Sequence, residues 1–345
     1  YISIVEVLLK LGSVIMIQYC FADKLLAFGA LNMGVTILTA LTYRFYCVRN
    51  FLNCRYVRYW SALLFKELFS YIGWSLIGNL AWTFNSQGMN ILINMFFGPV
   101  FNATRGIASS VESAVSSFLY NFITPAVPPI IKAYAAGDID EMIRLSLRSS
   151  KLGFLLFMCL SLPLISVMNP ILKLWLIAPP PQSWTFCLLS LIYIQCNSLG
   201  GTLQNMVQAT GKVKRYQLSN GIVKIMALPI VYIIYKCGGD VVAYLWTLIL
   251  TSIVGLMVQL DAVRRLIDSF KISDYLKKVI MPALTAYLLP FLLSFYFSCM
   301  EMESLKMMET VAIMVVICLF SVWFIGFTGH ERSWILNIAK SKLYR

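Results

Sequence analysis

Stretches of about 20 apolar residues, each long enough to cross a hydrocarbon core about 30 Å thick, recur along the whole 345-residue chain. A backbone in lipid has no water to bond, so it must satisfy its own polar groups; apolar stretches of this length do so as helices. Ten spans can be laid out, at about 1–20, 25–43, 72–96, 101–124, 152–171, 184–208, 217–235, 241–260, 279–298 and 307–328. Only 12% of the residues are charged, against about 25% in an ordinary soluble domain. The expected fold class is an all-α polytopic membrane protein.

A formal net charge of +13 would suit a nucleic-acid partner if the basic residues formed one patch. Placed on the ten spans, they separate by side instead. One side takes 21 of the 28 basic residues, among them Arg44, Arg49, Arg55, Arg58, Lys66, Lys132, Arg144, Lys151, Lys212, Lys214, Arg264, Lys278 and Lys340. The other side holds Lys24, Arg105, Lys173, Lys236 and Lys306, while Lys10 and Lys224 fall inside spans. This is the positive-inside pattern, which puts both termini in the cytoplasm and excludes a nucleic-acid partner. The first residue is Tyr1, and residues 1–20 lack the basic leader and cleavage motif of a signal peptide. The chain reads as a piece of a longer protein.

The outer loops are short, and two inner connections are longer. In the first, residues 44–71 form a basic loop whose end, Tyr59–Tyr71, repeats apolar residues at helical spacing, as expected of a helix lying along the interface. The second, "KAYAAGDIDEMIRLSLRSSK", has a Gly-Asp break and then another short amphipathic helix. Pro125, Pro128 and Pro129 crowd the inner end of the fourth span, with Pro163 and Pro229 inside others. The nine cysteines include no CxxC pair. Cys47 and Cys54 are not at a usual zinc spacing, and the cysteines read as apolar filler.

The third span, "SLIGNLAWTFNSQGMNILINMFF", places Asn79, Thr83, Gln87, Asn90 and Asn94 on one helical face, with Ser86 at its edge. The fourth repeats the design with Asn102, Arg105, Ser109, Glu112, Ser113 and Ser116, and the sixth has a weaker version in Gln195, Ser198, Thr202, Asn205 and Gln208. One such residue on a span is explained by a hydrogen bond between packed helices, worth about 0.6 kcal/mol. Five in register, answered by as many on the next helix, are too many for a dry seam and point to a wet cavity. Glu112 lies seven residues deeper than Arg105, about 10 Å along the helix. A lone carboxylate at that depth costs about 2.5–3.5 kcal/mol, so it must be protonated, paired or hydrated. Glu6 and Lys10 form an i,i+4 pair in the first span, and Lys224 sits inside the seventh. Together these groups describe a hydrated pathway able to meet an anion, with ion coupling or charge pairing open for Glu112, Glu6, Lys10 and Lys224.

No phosphate loop or HExxH motif is present, and the one histidine, His330, lies outside the last span. Short outer loops cannot house the acid–base or metal groups of a lipid-linked sugar polymerase. The chain is therefore not expected to be an enzyme, nor to hold a metal or cofactor. Three stretches, "GMNILINMFFGPVFNATRGIASSVESAVSSF", "PPIIKAYAAGD" and "QATGKVKRYQLSNG", resemble the polysaccharide transporters, or O-antigen flippases, of the multidrug/oligosaccharidyl-lipid/polysaccharide superfamily. The resemblance is nearest to members from Bacteroides-type bacteria, and it covers essentially the whole chain.

That resemblance implies a MATE-like fold of two six-helix lobes facing across a cleft, with two further helices. The family has about fourteen spans, so about four would precede residue 1. Residues 1–43 would be the last two helices of the first lobe, 44–71 the basic loop and interfacial helix, 72–260 the second lobe, and 261–345 the extra pair with a basic tail. It implies a multi-pass protein of the bacterial inner membrane that moves undecaprenyl-diphosphate-linked oligosaccharide, a lipopolysaccharide, capsule or exopolysaccharide repeat unit, to the outer leaflet by alternating access. Arg105 in "NATRGIA" matches the cavity arginines that meet the diphosphate; Gln87, Asn90, Asn94, Ser109 and Ser113 would bind sugar hydroxyls. Glu112 would couple transport to H+ or Na+. Val127-Pro128 stands where many relatives carry Asn-Pro. A MATE-type ion-coupled multidrug exporter is the alternative reading, and a membrane-embedded glycosyltransferase or polymerase a remote one.

Overall fold

A computed structural model describes residues 2–20, 24–51, 60–176, 178–300, 304–329 and 331–333, with side chains omitted at 17–20, 24, 25, 304 and 305. Among these residues the chain is helical throughout, without a strand. This is an all-α polytopic membrane protein. Eight helical stretches are long and apolar enough to cross a membrane. Two of the ten expected spans fall outside that set. One is α1 (Ile2–Cys20), whose side chains are described only over residues 2–16. The other lies in α3 (Ala62–Phe97), where Asn79, Asn85, Gln87, Asn90 and Asn94 dilute the apolar character. Arg55, Arg58, Cys54, His330 and the basic tail around Lys340 lie outside the described residues.

The chain divides into two compact units, Tyr1–Phe65 and Lys66–Arg345. In the first, α1 packs against α2 (Lys24–Asn50). The Ser3 hydroxyl meets that of Tyr43 at 3.1 Å, so the two helices form a hairpin.

In the second unit α6 (Ile139–Ser166) is the central post, buried along most of its length. Around it stand α4 (Pro99–Ile123), α5 (Val127–Ala135), α8 (Ser183–Ser198), α9 (Gly201–Thr210), α13 (Met281–Ser298) and α14 (Ser304–Ser321). Helices α10 (Lys214–Lys236) and α11 (Ala243–Leu266) pair with each other, and α11 lies on α8. The short α7 (Met168–Leu176) and α12 (Ile272–Tyr275) complete the order. Helices in lipid gain little from a hydrophobic drive to associate, so close approach through small residues matters more.

The seam between α3 and α10 shows this. A Cβ added at Gly78 would collide with the Gln217 amide, and one at Gly88 would meet Leu228 at 2.6 Å. Between them a Cβ at Gly221 would touch that of Ala81 at 3.4 Å, and Asn85 Nδ2 donates to the Lys224 carbonyl at 2.5 Å. Positions 78, 81, 85 and 88 share one face of α3 and meet 217, 221, 224 and 228 in ascending order. The two helices therefore run parallel, as alternating passage of the spans requires.

Three expectations change. Of the stretch Tyr59–Tyr71, the described residues 62–71 do not form a separate interfacial helix: α3 runs unbroken from Ala62 for 36 residues, about 54 Å, and passes through Gly73 without a break. The expected short helix after Gly137 is the first part of α6. Asp138 caps it by accepting from Glu141 N at 2.9 Å, and the helix continues to Ser166. The sixth span is broken at Leu199–Gly200 between α8 and α9. The Leu199 carbonyl accepts from the buried Tyr275 hydroxyl at 2.5 Å, which satisfies a backbone group near the interruption.

The segment that follows α14 is tied to α6 by an ion pair. Lys151, expected as a surface charge, is 3% exposed and meets Glu331 Oε2 at 2.5 Å. Thr328 donates its N–H and its hydroxyl to the same oxygen at 2.8 and 2.9 Å. Burial pushes the Glu331 carboxyl up, but the bonds from Lys151 and Thr328 outweigh it and hold its pKa below the usual value. With a depressed folded-state pKa, the contribution is present above the ordinary carboxylate value and fades as pH falls through the depressed one. We predict that Lys151→Met costs about 3 kcal/mol at neutral pH, because it strands a mostly buried carboxylate. The loss should shrink below about pH 4; chemical unfolding across pH measures both.

Candidate functional site

Helices α3 and α4 are joined by one residue. Gly98, at φ 83°, turns the chain as only glycine does readily, and Pro99 starts α4 with its φ already helical. The Gly98 N–H bonds back to the Asn94 carbonyl at 3.1 Å. This hinge folds the end of α3 beside the start of α4 and brings Asn90 to Arg105.

The Arg105 guanidinium donates to Asn90 Oδ1, and Asn90 Nδ2 donates to Gln87 Oε1 at 3.1 Å. Its other side lies over the Tyr244 ring, 5.8 Å from the centroid, at the distance of a cation–π contact. Arg105 therefore does not snorkel to the membrane surface. It points into a cavity of about 180 Å³ lined by Trp82, Asn85 and Ser86 of α3, Arg105, Ser109, Glu112 and Ser113 of α4, Ser190 and Tyr193 of α8, and Tyr244, Leu245 and Leu248 of α11. Glu112 faces the same space, and no ion pair among the described residues includes it.

Four predicted site residues thus share one cavity: Arg105, Ser109, Glu112 and Ser113. Asn90 and Gln87 join them through the Arg105 hydrogen-bond chain. Asn94 stays on the stripe, where Asn79, Thr83, Gln87 and Asn94 are all exposed. Lys224 lines a second, smaller cavity, which shares Trp82, Asn85, Tyr193 and Leu248 with the first. Glu6 and Lys10 close on each other at 2.6 Å within the first unit.

The sixth-span stripe has a different use. Gln195 is 3% exposed and donates to the Phe154 carbonyl at 3.0 Å, while Thr202 bonds Ser150. These side chains glue α8 and α9 to α6. The sequence pattern alone missed Asn85, Ser190, Tyr193 and Tyr244. Asn85 was detectable as a polar residue in a span, but it lies off the stripe.

An exposed polar face in a membrane must meet water or protein, whereas exposed Leu250 and Met257 on α11 suit lipid. We predict that single cysteines at 83, 87, 109 and 113, in a background without the native cysteines, react with charged thiol reagents roughly tenfold faster than at 250 and 257, since only hydrated thiols ionise. Labelling rates in membranes decide it, and equal rates would place the stripe in lipid.

No family model matches this chain, and comparison with curated proteins and with solved structures returned no similar one. The functional reading rests on the site's chemistry and the three quoted stretches.

Proposed function

We propose that this chain belongs to a transporter that flips undecaprenyl-diphosphate-linked oligosaccharide from the inner to the outer leaflet of the bacterial inner membrane, both termini cytoplasmic. The observation that carries the reading is the Arg105–Glu112 cavity, with an open polar stripe at its edge. A membrane protein gains nothing in stability by burying these charges in a hydrated chamber, so their retention is best explained by a polar cargo. At about 180 Å³ the cavity lies below the roughly 300–1,000 Å³ of drug-sized sites. It suits a charged head group, with the rest of a large ligand lying along the exposed stripe.

In this reading Arg105 meets the diphosphate, held in place by Asn90 and backed by Tyr244. Gln87, Asn90, Asn94, Ser109 and Ser113 offer hydrogen bonds to sugar hydroxyls. Glu112, in the same cavity, senses the cargo's charge through Arg105 and couples its passage to H+ or Na+. The step is translocation, with no covalent bond made or broken. A second reading, an ion-coupled multidrug exporter, draws support from the Trp82, Tyr193 and Tyr244 rings in the wall, which suit a flat apolar cation.

We predict that in vesicles carrying the full-length protein, Arg105→Ala slows flipping of lipid-linked oligosaccharide by about tenfold or more, the scale of one lost charge-assisted bond. Arg105→Lys should retain part of the rate, and Glu112→Gln should remove its dependence on an imposed ion gradient. Unchanged flipping in Arg105→Ala and Glu112→Gln would overturn the assignment. Efflux of aromatic cations without flipping would favour the exporter.

A further inference from the structure

Beside the main cavity lies a chamber of about 20 Å³ lined by Trp82, Asn85, Tyr193, Asn197, Asn220, Lys224, Leu248, Thr251, Ser252, Gly255 and Gln259. We propose that it binds one monatomic halide ion, chloride under ordinary conditions. The proposal is independent of the transported cargo.

Lys224 is the eleventh residue of the 23 in α10, about 15 Å from its start, and so near the middle of the membrane. No carboxylate lines its chamber, and no ion pair among the described residues includes it. Arg105 and Glu112 line the neighbouring cavity together, so among the described residues no carboxylate shares the chamber with Lys224. A bare ammonium at that depth is costly unless a counter-ion or hydrogen bonds meet it.

Gln259, 7% exposed, donates Nε2 to Asn220 Oδ1 at 3.2 Å. That bond uses the oxygen end of the Asn220 amide and leaves its NH2 group as a donor. Asn197 and Tyr193 add an amide and a hydroxyl, and none of these donors is engaged with an acceptor among the described residues. Thr251 and Ser252 donate to the Leu248 and Ile249 carbonyls at 3.0 and 2.7 Å, so their protons are committed and the amides of Asn197 and Asn220 and the Tyr193 hydroxyl are the available donors. Asn85 is committed to the Lys224 carbonyl and so holds the lysine backbone in place.

Size selects the ligand. At about 20 Å³, beside about 180 Å³ for the neighbouring cavity, the space favours a particle near the size of a water molecule, and so a monatomic anion over phosphate or diphosphate.

The test is binding of radioactive chloride to the purified full-length protein in lipid nanodiscs. Saturable binding is expected, competed by bromide and not by gluconate or phosphate. Lys224→Met should weaken it by about tenfold or more, and Lys224→Arg should keep it. Gly255→Ala supplies a variant that folds: its added Cβ would stand 3.7 Å from Asn220 Oδ1, an ordinary contact, while taking space from the chamber, so it should weaken bromide more than chloride. Absence of saturable binding in the wild type would overturn the proposal and leave water as the occupant. Equal binding by the wild type, Lys224→Met and Gly255→Ala would place the ion elsewhere and overturn it too.

Discussion

The contact of α3 with α10, closest where Ala81 faces Gly221, orients the rest of α3. Gly78, Ala81 and Gly88 carry so little that Gln217, Gly221 and Leu228 can lie against them, and Asn85 locks the register on the Lys224 carbonyl. A helix pinned on that face has no freedom to hide its neighbouring face. Asn79, Thr83, Gln87 and Asn94 are therefore turned outward, and Asn90 is delivered to Arg105.

The charges on α4 follow from the same placement. The Gly98 hinge is too short to let α4 swing freely, so Arg105 enters the space between α3 and α11, under the Tyr244 ring. Glu112, two turns deeper, shares that space. The two groups line one cavity, so a ligand that engages one changes what the other requires. This is the physical basis on which a cargo anion and a coupling ion could act through one cavity. Lys224 lies across the same wall, behind Asn85 and Tyr193. The two chambers thus distribute charge on either side of a shared partition.

Much of this was legible in the sequence because membrane spans reveal their faces by periodicity. The i,i+4 recurrence of Asn79, Thr83, Gln87, Asn90 and Asn94 marked a polar face, and the Arg105–Glu112 spacing placed both charges on one side of α4. What the pattern could not reveal was tertiary. Asn85 lies off the stripe and matters only because Lys224 arrives beside it, 139 residues away. Gln195 and Thr202 looked like a further wet stripe, yet α6 supplies them with partners, and that depends on packing rather than spacing. The break at Leu199–Gly200 coincides with Gly200-Gly201, a local signal that the span-length reading passed over. The early start of α6 reflects the Asp138 cap, which overrides a local change of composition, and α3 likewise runs through a stretch where composition changes.

The most direct test of this account is the register of the α3–α10 seam. Cysteines at Ala81 and Gly221 would place their Cβ atoms 3.4 Å apart, near the usual 3.5–4.5 Å of a disulfide. In a background free of native cysteines, mild oxidation should cross-link that pair readily. A pair at Thr83 and Gly221, with the first cysteine on the outward face, should stay reduced. Cross-linking of the second pair but not the first would mean that α3 is rotated, the polar stripe is packed inward, and the cavity does not have the walls assigned to it.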